Sequence, residues 1–283
     1  MVEADLKLQV KCFNLKYTLE CGQCFRWKVI NENEYIGVIY DRVIRIIQDG
    51  NTLFIWSNKK KNLKEVVEHY FDLKKDYEEI EANIAKIDNN IAKSLEYSSG
   101  IRILNQPLFE TIISYIISAN NNIKRISRSV DAISKRFGKE VEFEGEKYYL
   151  FPTLEELKGV TIDELLSDGT GFRARYIKHD IEYLENNPYF LDKIKKLNTE
   201  EATKVLSTLM GIGPKVADCI LLFSLEKSEV FPIDVWVKRI MERLYFKENK
   251  SLKEIKKYAS EKFGEYGGIV QQHLFHNIRE GNI

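Results

Sequence analysis

Hydrophobic and polar residues alternate in short runs from about residue 5 to residue 57, a pattern typical of β-strands. The segment YIGVIYDRVIRIIQDGNTLFIW carries β-branched and aromatic residues on both sides of Asp49-Gly50, which is a strong signal for a hairpin turn. Upstream of it, FRWKVINENEYIGVIY predicts two further strands joined across Asn31 to Asn33. Because these connections are short, the pattern predicts an antiparallel meander.

The spacing becomes helical after Trp56, where apolar residues recur among charged ones with no Gly or Pro before Gly100. Ser98-Ser99-Gly100 is the predicted boundary between two domains. Residues 1–98 are expected to form an antiparallel β domain with trailing helices, and residues 99–283 a mainly helical domain. The predicted fold class is therefore α+β.

Several signals place helices in the second domain. QPLFETIISYIISANNNIKRI is an apolar helical pattern interrupted by three asparagines. Thr153 with Glu156 and Thr161 with Glu164 form capping boxes that predict two more helix starts. Residues 137–152 predict a loop or a small ribbon between these helices.

Composition narrows the function only slightly. Lys and Arg number 43, as do Asp and Glu, so an anionic partner must be held by a local patch rather than by net charge. The cysteines are Cys12, Cys21, Cys24 and Cys219. Cys21 and Cys24 form a CxxC pair, but a zinc site requires a second pair of ligands that the sequence lacks. We expect both cysteines to lie on a strand, one facing inward and the other facing outward. We therefore expect no metal or cofactor.

No apolar segment long enough for a membrane span is found, and no secretory signal is visible. We expect a reduced, cytoplasmic protein, associated with the nucleoid if the source is bacterial.

The most specific local motif is LMGIGPKVADC, Leu209 to Cys219. A helix capped by Asn198 is predicted before the motif. Gly211-Ile212-Gly213 predicts a tight turn, because glycine permits positive φ. Pro214 suits the first position of the helix that follows. Backbone N–H groups beside a helix N-terminus accept a phosphate without needing a side chain. The motif resembles the helix-hairpin-helix element of DNA-repair proteins and predicts DNA binding through Gly211 and Gly213.

Lys215 lies in the first helical turn after this hairpin, where the helix dipole and partial burial disfavour the ammonium form and favour a nucleophilic amine. Non-enzymatic hairpin modules often carry a cation at this position to meet a phosphate, so the lysine alone does not establish chemistry. Asp234, in VFPIDVWVKRI, is a second candidate, because a carboxylate among apolar residues is costly to bury unpaired. It is also a good N-cap for the helix that follows, and both roles are compatible. An amine beside a carboxylate suits attack at C1′ of a nucleotide, with loss of the base and formation of a Schiff base.

The chain as a whole resembles the 8-oxoguanine DNA glycosylase family. Six segments occur in family order, namely LECGQCFRW, GIRILNQPLFETIISYIISANNNIKRI, GFRARY, GIGPKVADC, FPIDV and VQQHLF. The resemblance implies a bifunctional glycosylase and abasic-site lyase of base excision repair. It would act, preferably opposite cytosine, on duplex DNA by base flipping, followed by β-elimination. We expect no cofactor and a monomer.

The resemblance also implies a role for individual residues. Lys215 is the expected nucleophile and Asp234 the assisting carboxylate. The Gly22 carbonyl is expected to accept the N7–H of the oxidised base; guanine presents an acceptor there, so the contact discriminates by about 1–3 kcal/mol. The other expected base-pocket residues are Cys219 and Phe275, which sandwich the base, Gln271, which reads its Watson–Crick edge, Pro232 and Phe25.

On the DNA side, Asn120 is expected to fill the gap left by the flipped base, Arg125 and Arg173 to hold the orphaned cytosine, and Phe172 to act as a wedge. Trp236 stands where the family has a histidine and Ile278 where it can have an acidic residue. We expect Trp236 to present an aromatic surface to DNA, and an apolar contact between Trp236 and Ile278 to replace the polar pair. Two alternatives stay open at this point: a glycosylase for oxidised pyrimidines or alkylated bases, and a DNA-binding module without chemistry, which would have no use for Asp234.

Overall fold

Seven strands and fourteen α-helices lie in residues 3–282, the part of the chain that the computed structural model describes. Met1, Val2 and Ile283, the outermost residues of the two predicted domains, lie outside that range. The strands are β1 (Leu6–Gln9), β2 (Trp27–Asn31), β3 (Glu34–Ile39), β4 (Arg42–Asp49), β5 (Thr52–Ser57), β6 (Glu140–Phe143) and β7 (Glu146–Tyr149). The helices are α1 (Leu15–Glu20), α2 (Leu63–Tyr70), α3 (Tyr77–Ala85), α4 (Asn89–Ser98), α5 (Leu108–Ser118), α6 (Ile123–Phe137), α7 (Ile162–Ser167), α8 (Ala174–Asn186), α9 (Phe190–Ile194), α10 (Thr199–Leu206), α11 (Pro214–Ser224), α12 (Val235–Met241), α13 (Leu252–Phe263) and α14 (Gly267–Glu280).

The first five strands form one antiparallel sheet in the order β1-β5-β4-β3-β2, which confirms the predicted meander and its Asp49-Gly50 hairpin. One face of the sheet buries Ile44, Ile46 and Ile55 against α1 and α2. The opposite face packs against the ribbon formed by β6 and β7, chiefly through Phe143. The α+β prediction is therefore confirmed, with both faces of the sheet covered.

Two predictions about the N-terminal region were wrong. Residues 15–20 form helix α1 rather than a strand, because the Asn14 side chain accepts the N–H of Tyr17 as an N-cap and Leu15 and Leu19 share one buried face. The Cys21–Cys24 pair follows this helix instead of lying on a strand, and both thiols are buried, so neither faces outward. All four cysteines are free thiols.

The capping box at Thr153 forms but opens no helix, contrary to the prediction. The backbone N–H of Glu156 donates to the Thr153 hydroxyl at 3.2 Å, yet residues 154–159 form only turns. Gly159, at φ +76°, ends the segment, and Thr161 caps α7 directly afterwards. Too few residues remain between the two signals for a helix to propagate.

Helix α4 ends at Ser98, at the predicted domain boundary, yet α3 and α4 bury Tyr77, Ile84 and Ile91 in the same core as the later helices. Arg102, just beyond the boundary, joins the two parts. Its guanidinium donates to the backbone carbonyls of Lys11 (2.6 Å) and Asp72 (2.8 Å), among others. The division at residue 98 stays a prediction.

A buried histidine lies where α14 packs against α4. His273 Nδ1 lies 2.9 Å from the Ser98 hydroxyl, which itself donates to the Ser94 carbonyl, so Nδ1 carries the proton. Its Nε2 lies 4.0 Å from Glu81, whose carboxylate accepts the Gly100 N–H. Burial lowers the pKa of His273 to about 4, although Glu81 opposes this shift.

This histidine predicts a loss of stability in mild acid. An unfolded histidine titrates near pH 6.5, so the unfolded chain binds the proton first and the free energy of unfolding falls as pH drops from about 6.5 towards 4. The contribution is at most about 1.4 kcal/mol per pH unit. We expect His273→Gln to flatten this part of the curve in urea unfolding measured from pH 8 to pH 4. If the free energy of unfolding of His273→Gln depends on pH as steeply as that of the parent, His273 is not the source of the loss.

Candidate active site

The hairpin between α10 and α11 has the predicted form. Asn198 caps α10 in a full capping box with Glu201, and Pro214 is the first residue of α11. Gly211 has φ +78°, and a Cβ there would lie 2.8 Å from the ring of Tyr176. Gly213 differs from the prediction: its φ of −86° is open to any residue, and a Cβ there would meet no protein atom within 4 Å. Of the two hairpin glycines, only Gly211 has a backbone conformation that requires glycine.

Two residues of helix α8 contact the hairpin and fix its position. Asp180, fully buried, accepts the backbone N–H of Met210 through Oδ1 at 2.8 Å, and half-exposed His179 also lies 3.0 Å from that oxygen. Burial raises the pKa of Asp180. Together with the Tyr176 ring against Gly211, this bond fixes the loop whose N–H groups precede α11.

Lys215 and Asp234 line one small cavity of about 40 Å³. Both side chains are half-buried, and Lys215 Nζ lies 5.3 Å from the centre of the Tyr115 ring. Asp234 is also the N-cap of α12, since its Oδ1 accepts the N–H of Val237 at 2.7 Å. The two interpretations of Asp234 therefore hold together, because one carboxylate oxygen caps the helix and the other is left for chemistry.

Gly22 lies in the wall of the same cavity. Its φ of +85° favours glycine, and a Cβ there would lie 3.4 Å from both Ile123 and Phe275. The next residue, Gln23, is buried and anchors the turn, with its Nε2 donating to the carbonyls of Thr18 (2.9 Å) and Arg102 (2.7 Å).

The expected base-pocket residues are brought together, but the pocket is closed. Cys219, Pro232, Gln271 and Phe275 all line the small cavity, whose volume holds about one water molecule rather than a purine. Burial raises the pKa of Cys219 to about 11, so it is a neutral thiol that can pack against a base. The Gln271 Oε1 accepts from the neighbouring side chain of Gln272 at 2.8 Å.

A larger opening of about 610 Å³ adjoins the closed pocket. Lys215, Asp234, Gly22 and Phe275 line both spaces, so the two adjoin at these residues. Phe25 lines the opening only, where its ring packs edge-on against Tyr115 at 5.5 Å.

The four residues expected to face the duplex lie at neighbouring loops with different exposure. Asn120, at φ +51°, and Arg125 are exposed, and Phe172 is 55% exposed beside Tyr176. Arg173 is buried instead: its guanidinium donates to the carbonyls of Ala119 and Asn120 and to Thr170. Burial, and then the nearby charge of Arg125, lowers the pKa of Arg173.

Trp236 lies at the rim of the larger opening, 51% exposed, with the guanidinium of Arg239 5.3 Å from its ring centre. Ile278 packs against the helical core. The sequence reasoning missed three residues that shape the site: Tyr115, which lines both spaces, and Gln23 and Asp180, which hold backbone segments beside it. Tyr115 lies in an apolar run that predicts only core, and the other two act on backbone far away in the chain, for which a single sequence carries no signal.

Neither a membrane span nor a metal cluster stands out in the described part of the chain. No helix within residues 3–282 is both long and apolar enough to cross a bilayer. The same residues include no group of three or more His, Cys, Asp or Glu side chains placed to hold a metal ion.

Known proteins resemble this chain along most of its length. A probable N-glycosylase/DNA lyase of Methanothermobacter thermautotrophicus is 33% identical over 244 residues, covering 79% of this chain and 77% of that protein. The N-glycosylase/DNA lyase OGG1 of Arabidopsis thaliana is 30% identical over 286 residues, covering 95% and 78%. The crystal structure of Clostridium acetobutylicum 8-oxoguanine glycosylase/lyase, in complex with double-stranded DNA containing cytosine opposite 8-oxoguanine, superposes with a TM-score of 0.92, at 39% identity and 100% coverage of both chains.

Two family models divide the chain between them. Residues 113–265 match the HhH-GPD superfamily base excision DNA repair protein, which is the class that the hairpin, Lys215 and Asp234 define. Residues 5–112 match the N-terminal domain of 8-oxoguanine DNA glycosylase. The chain belongs to the 8-oxoguanine DNA glycosylase family, whose members excise 8-oxoguanine in base excision repair.

The two hairpin glycines should respond differently to substitution. We expect Gly211→Ala to lower the free energy of unfolding by about 2 kcal/mol or more, because positive φ and the Tyr176 ring both oppose a methyl group. Gly213→Ala, the matched control, meets no such clash and should cost clearly less, up to about 1 kcal/mol because alanine is a poorer N-cap for α11 than glycine. It should weaken DNA binding, since its Cβ would stand in open space that we expect a phosphate to enter. Urea unfolding and fluorescence anisotropy with duplex DNA measure the two effects. Equal destabilisation by both substitutions would contradict this view of the turn.

Proposed function

We propose that this enzyme removes 8-oxoguanine, preferably opposite cytosine, by direct attack of Lys215 and then cleaves the strand as a lyase. The observation that supports this proposal most strongly is the shared cavity of Lys215 and Asp234, walled by Gly22 and Phe275 and set beside the hairpin. A protein that only bound DNA would need the hairpin but not a lysine and a carboxylate in one pocket.

The chemistry follows from the two side chains. The lone pair of the Lys215 Nζ forms a bond to C1′ while the C1′–N9 bond breaks, and the departing base takes the bonding electrons and then a proton. The free oxygen of Asp234 stabilises the positive charge that develops on the sugar. Opening of the sugar ring gives a Schiff base on Lys215. Loss of a C2′ proton then expels the 3′ phosphate by β-elimination, and hydrolysis frees the lysine.

The closed pocket must open before it can select the base. Rotation of Phe275 would admit the flipped base between its ring and the neutral thiol of Cys219. The carbonyl of Gly22 would then accept the N7–H that guanine lacks, and Gln271 would exchange its bond with Gln272 for the Watson–Crick edge. The Gln271 contact would replace a bond already present in the free enzyme, so that exchange costs little hydrogen bonding.

The duplex is proposed to lie against the hairpin and the exposed loop around Asn120. Its phosphates would meet the N–H groups before α11, while Asn120 fills the gap and Arg125 approaches the orphaned cytosine. Arg173 can join Arg125 only by leaving the carbonyls of Ala119 and Asn120. The enzyme should act as a monomer, without a cofactor.

Covalent trapping tests the nucleophile. With a duplex carrying 8-oxoguanine opposite cytosine, borohydride should reduce the Schiff base and leave a protein–DNA adduct visible by denaturing gel electrophoresis. Lys215→Gln should abolish the adduct, because an amide has no nucleophilic lone pair. Lys257→Gln, the control, removes an exposed lysine paired only with Glu261 and should trap normally. Wild-type protein that binds the duplex yet yields no adduct would favour a binding module.

Asp234→Asn separates capping from chemistry. The amide oxygen can still accept the Val237 N–H, so α12 and lesion binding should be nearly unchanged. The single-turnover excision rate should fall by at least about 100-fold, because a neutral amide does not stabilise the developing charge. Quench-flow kinetics and anisotropy measure the two quantities. Equal loss of binding and rate would mean that Asp234 serves mostly as a cap.

A further inference from the structure

Arg279 is a cation at the pocket mouth for which the chemistry above has no use. It lies on the last turn of α14, one turn beyond Phe275, and lines the larger opening together with Lys215 and Asp234. Its Nη1 is 3.6 Å from the point where a Cβ on Gly22 would stand. The guanidinium is thus placed beside the residue expected to read the lesion.

The donors of this guanidinium are largely free. Its one ion pair is to Glu280, with Nε 3.7 Å from the carboxylate, and within residues 3–282 it donates no hydrogen bond. Arg173 shows the contrast, because its three nitrogens all donate to backbone carbonyls. A fork of unused donors at the entrance of a pocket is suited to a planar or tetrahedral oxyanion.

The position of the sugar indicates which anion the Arg279 guanidinium would bind. Attack by Lys215 requires C1′ within the opening, so the 3′ and 5′ phosphates of the flipped nucleotide must lie at its rim. Arg279 lines this larger opening and is absent from the lining of the small cavity of Cys219, Gln271 and Phe275, where the base is proposed to lie. The guanidinium therefore meets backbone rather than base.

We propose that Arg279 binds a phosphodiester that flanks the flipped nucleotide and so positions C1′ for attack. The proposal rests on the proposed function, since it needs a flipped nucleotide in this pocket. Arg279 is a positioning residue: it acts on the sugar through the phosphate and takes no part in bond making or breaking.

The test pairs a side-chain change with a phosphate change. Arg279→Gln should weaken binding to a duplex with a tetrahydrofuran abasic analogue opposite cytosine by about 10- to 50-fold, the cost of a charge-assisted hydrogen bond. The slope of log K against log salt should fall by about one. Arg279→Lys should keep that slope and recover part of the affinity. Lys257→Gln makes the same charge change at an exposed position of α13 that lines neither pocket, and it should alter neither quantity.

Methylphosphonate substitution then locates the contact. Neutralising one of the two flanking phosphates should weaken DNA binding by the wild type by a similar factor. The same change should not weaken binding by Arg279→Gln any further. The single-turnover pH profile should keep its shape in the variant. The proposal is overturned if Arg279→Gln binds the abasic-analogue duplex as tightly as the wild type does. It is also overturned if each methylphosphonate lowers the affinity of the variant by the same factor as that of the wild type. Wild-type trapping and excision report separately on the proposed function.

Discussion

The pocket depends on a buried amide, that of Gln23. Its Oε1 accepts the N–H of Leu104, its Nε2 donates to the Arg102 carbonyl, and its own carbonyl accepts from Gln106 and from the Tyr115 hydroxyl. Gly22 comes from the segment after α1, whereas Lys215, Asp234 and Phe275 come from α11, α12 and α14. A buried polar network of this kind is costly unless every member is satisfied, so it fixes the turn that carries the Gly22 carbonyl, the proposed reader of the lesion.

Electrostatics explains how a chain with equal numbers of acidic and basic residues can hold DNA. The hairpin provides backbone donors at the positive end of α11, and Asp180 and Tyr176 keep that loop in place from α8. The same helix end sets the environment of Lys215. In the proposed function, one element therefore serves both binding and chemistry.

Several polar side chains at the site are bonded within the protein in the absence of DNA. Gln271 bonds to Gln272, Arg173 to the loop at Asn120, and the base cavity closes to about 40 Å³. In the proposed function, each of these contacts is exchanged for one with DNA. Arg173 donates to backbone carbonyls and would have to be released first, whereas Arg279 donates no hydrogen bond within residues 3–282.

The sequence by itself determined the sheet meander, the caps of α7 and α10 and the hairpin, because these rest on local signals: turn residues, capping boxes and periodicity. It failed at α1, where a six-residue helix follows an N-cap inside a β-rich region, and at Thr153, where a correct cap had no length of chain to propagate. Only the tertiary structure decided that Gly213 needs no special backbone, that Cys21 and Cys24 both face inward, that Arg173 is occupied and that Arg279 borders the pocket. Those outcomes depend on which distant groups come within hydrogen-bond or packing distance, and that distance is a property of the folded chain rather than of neighbouring letters.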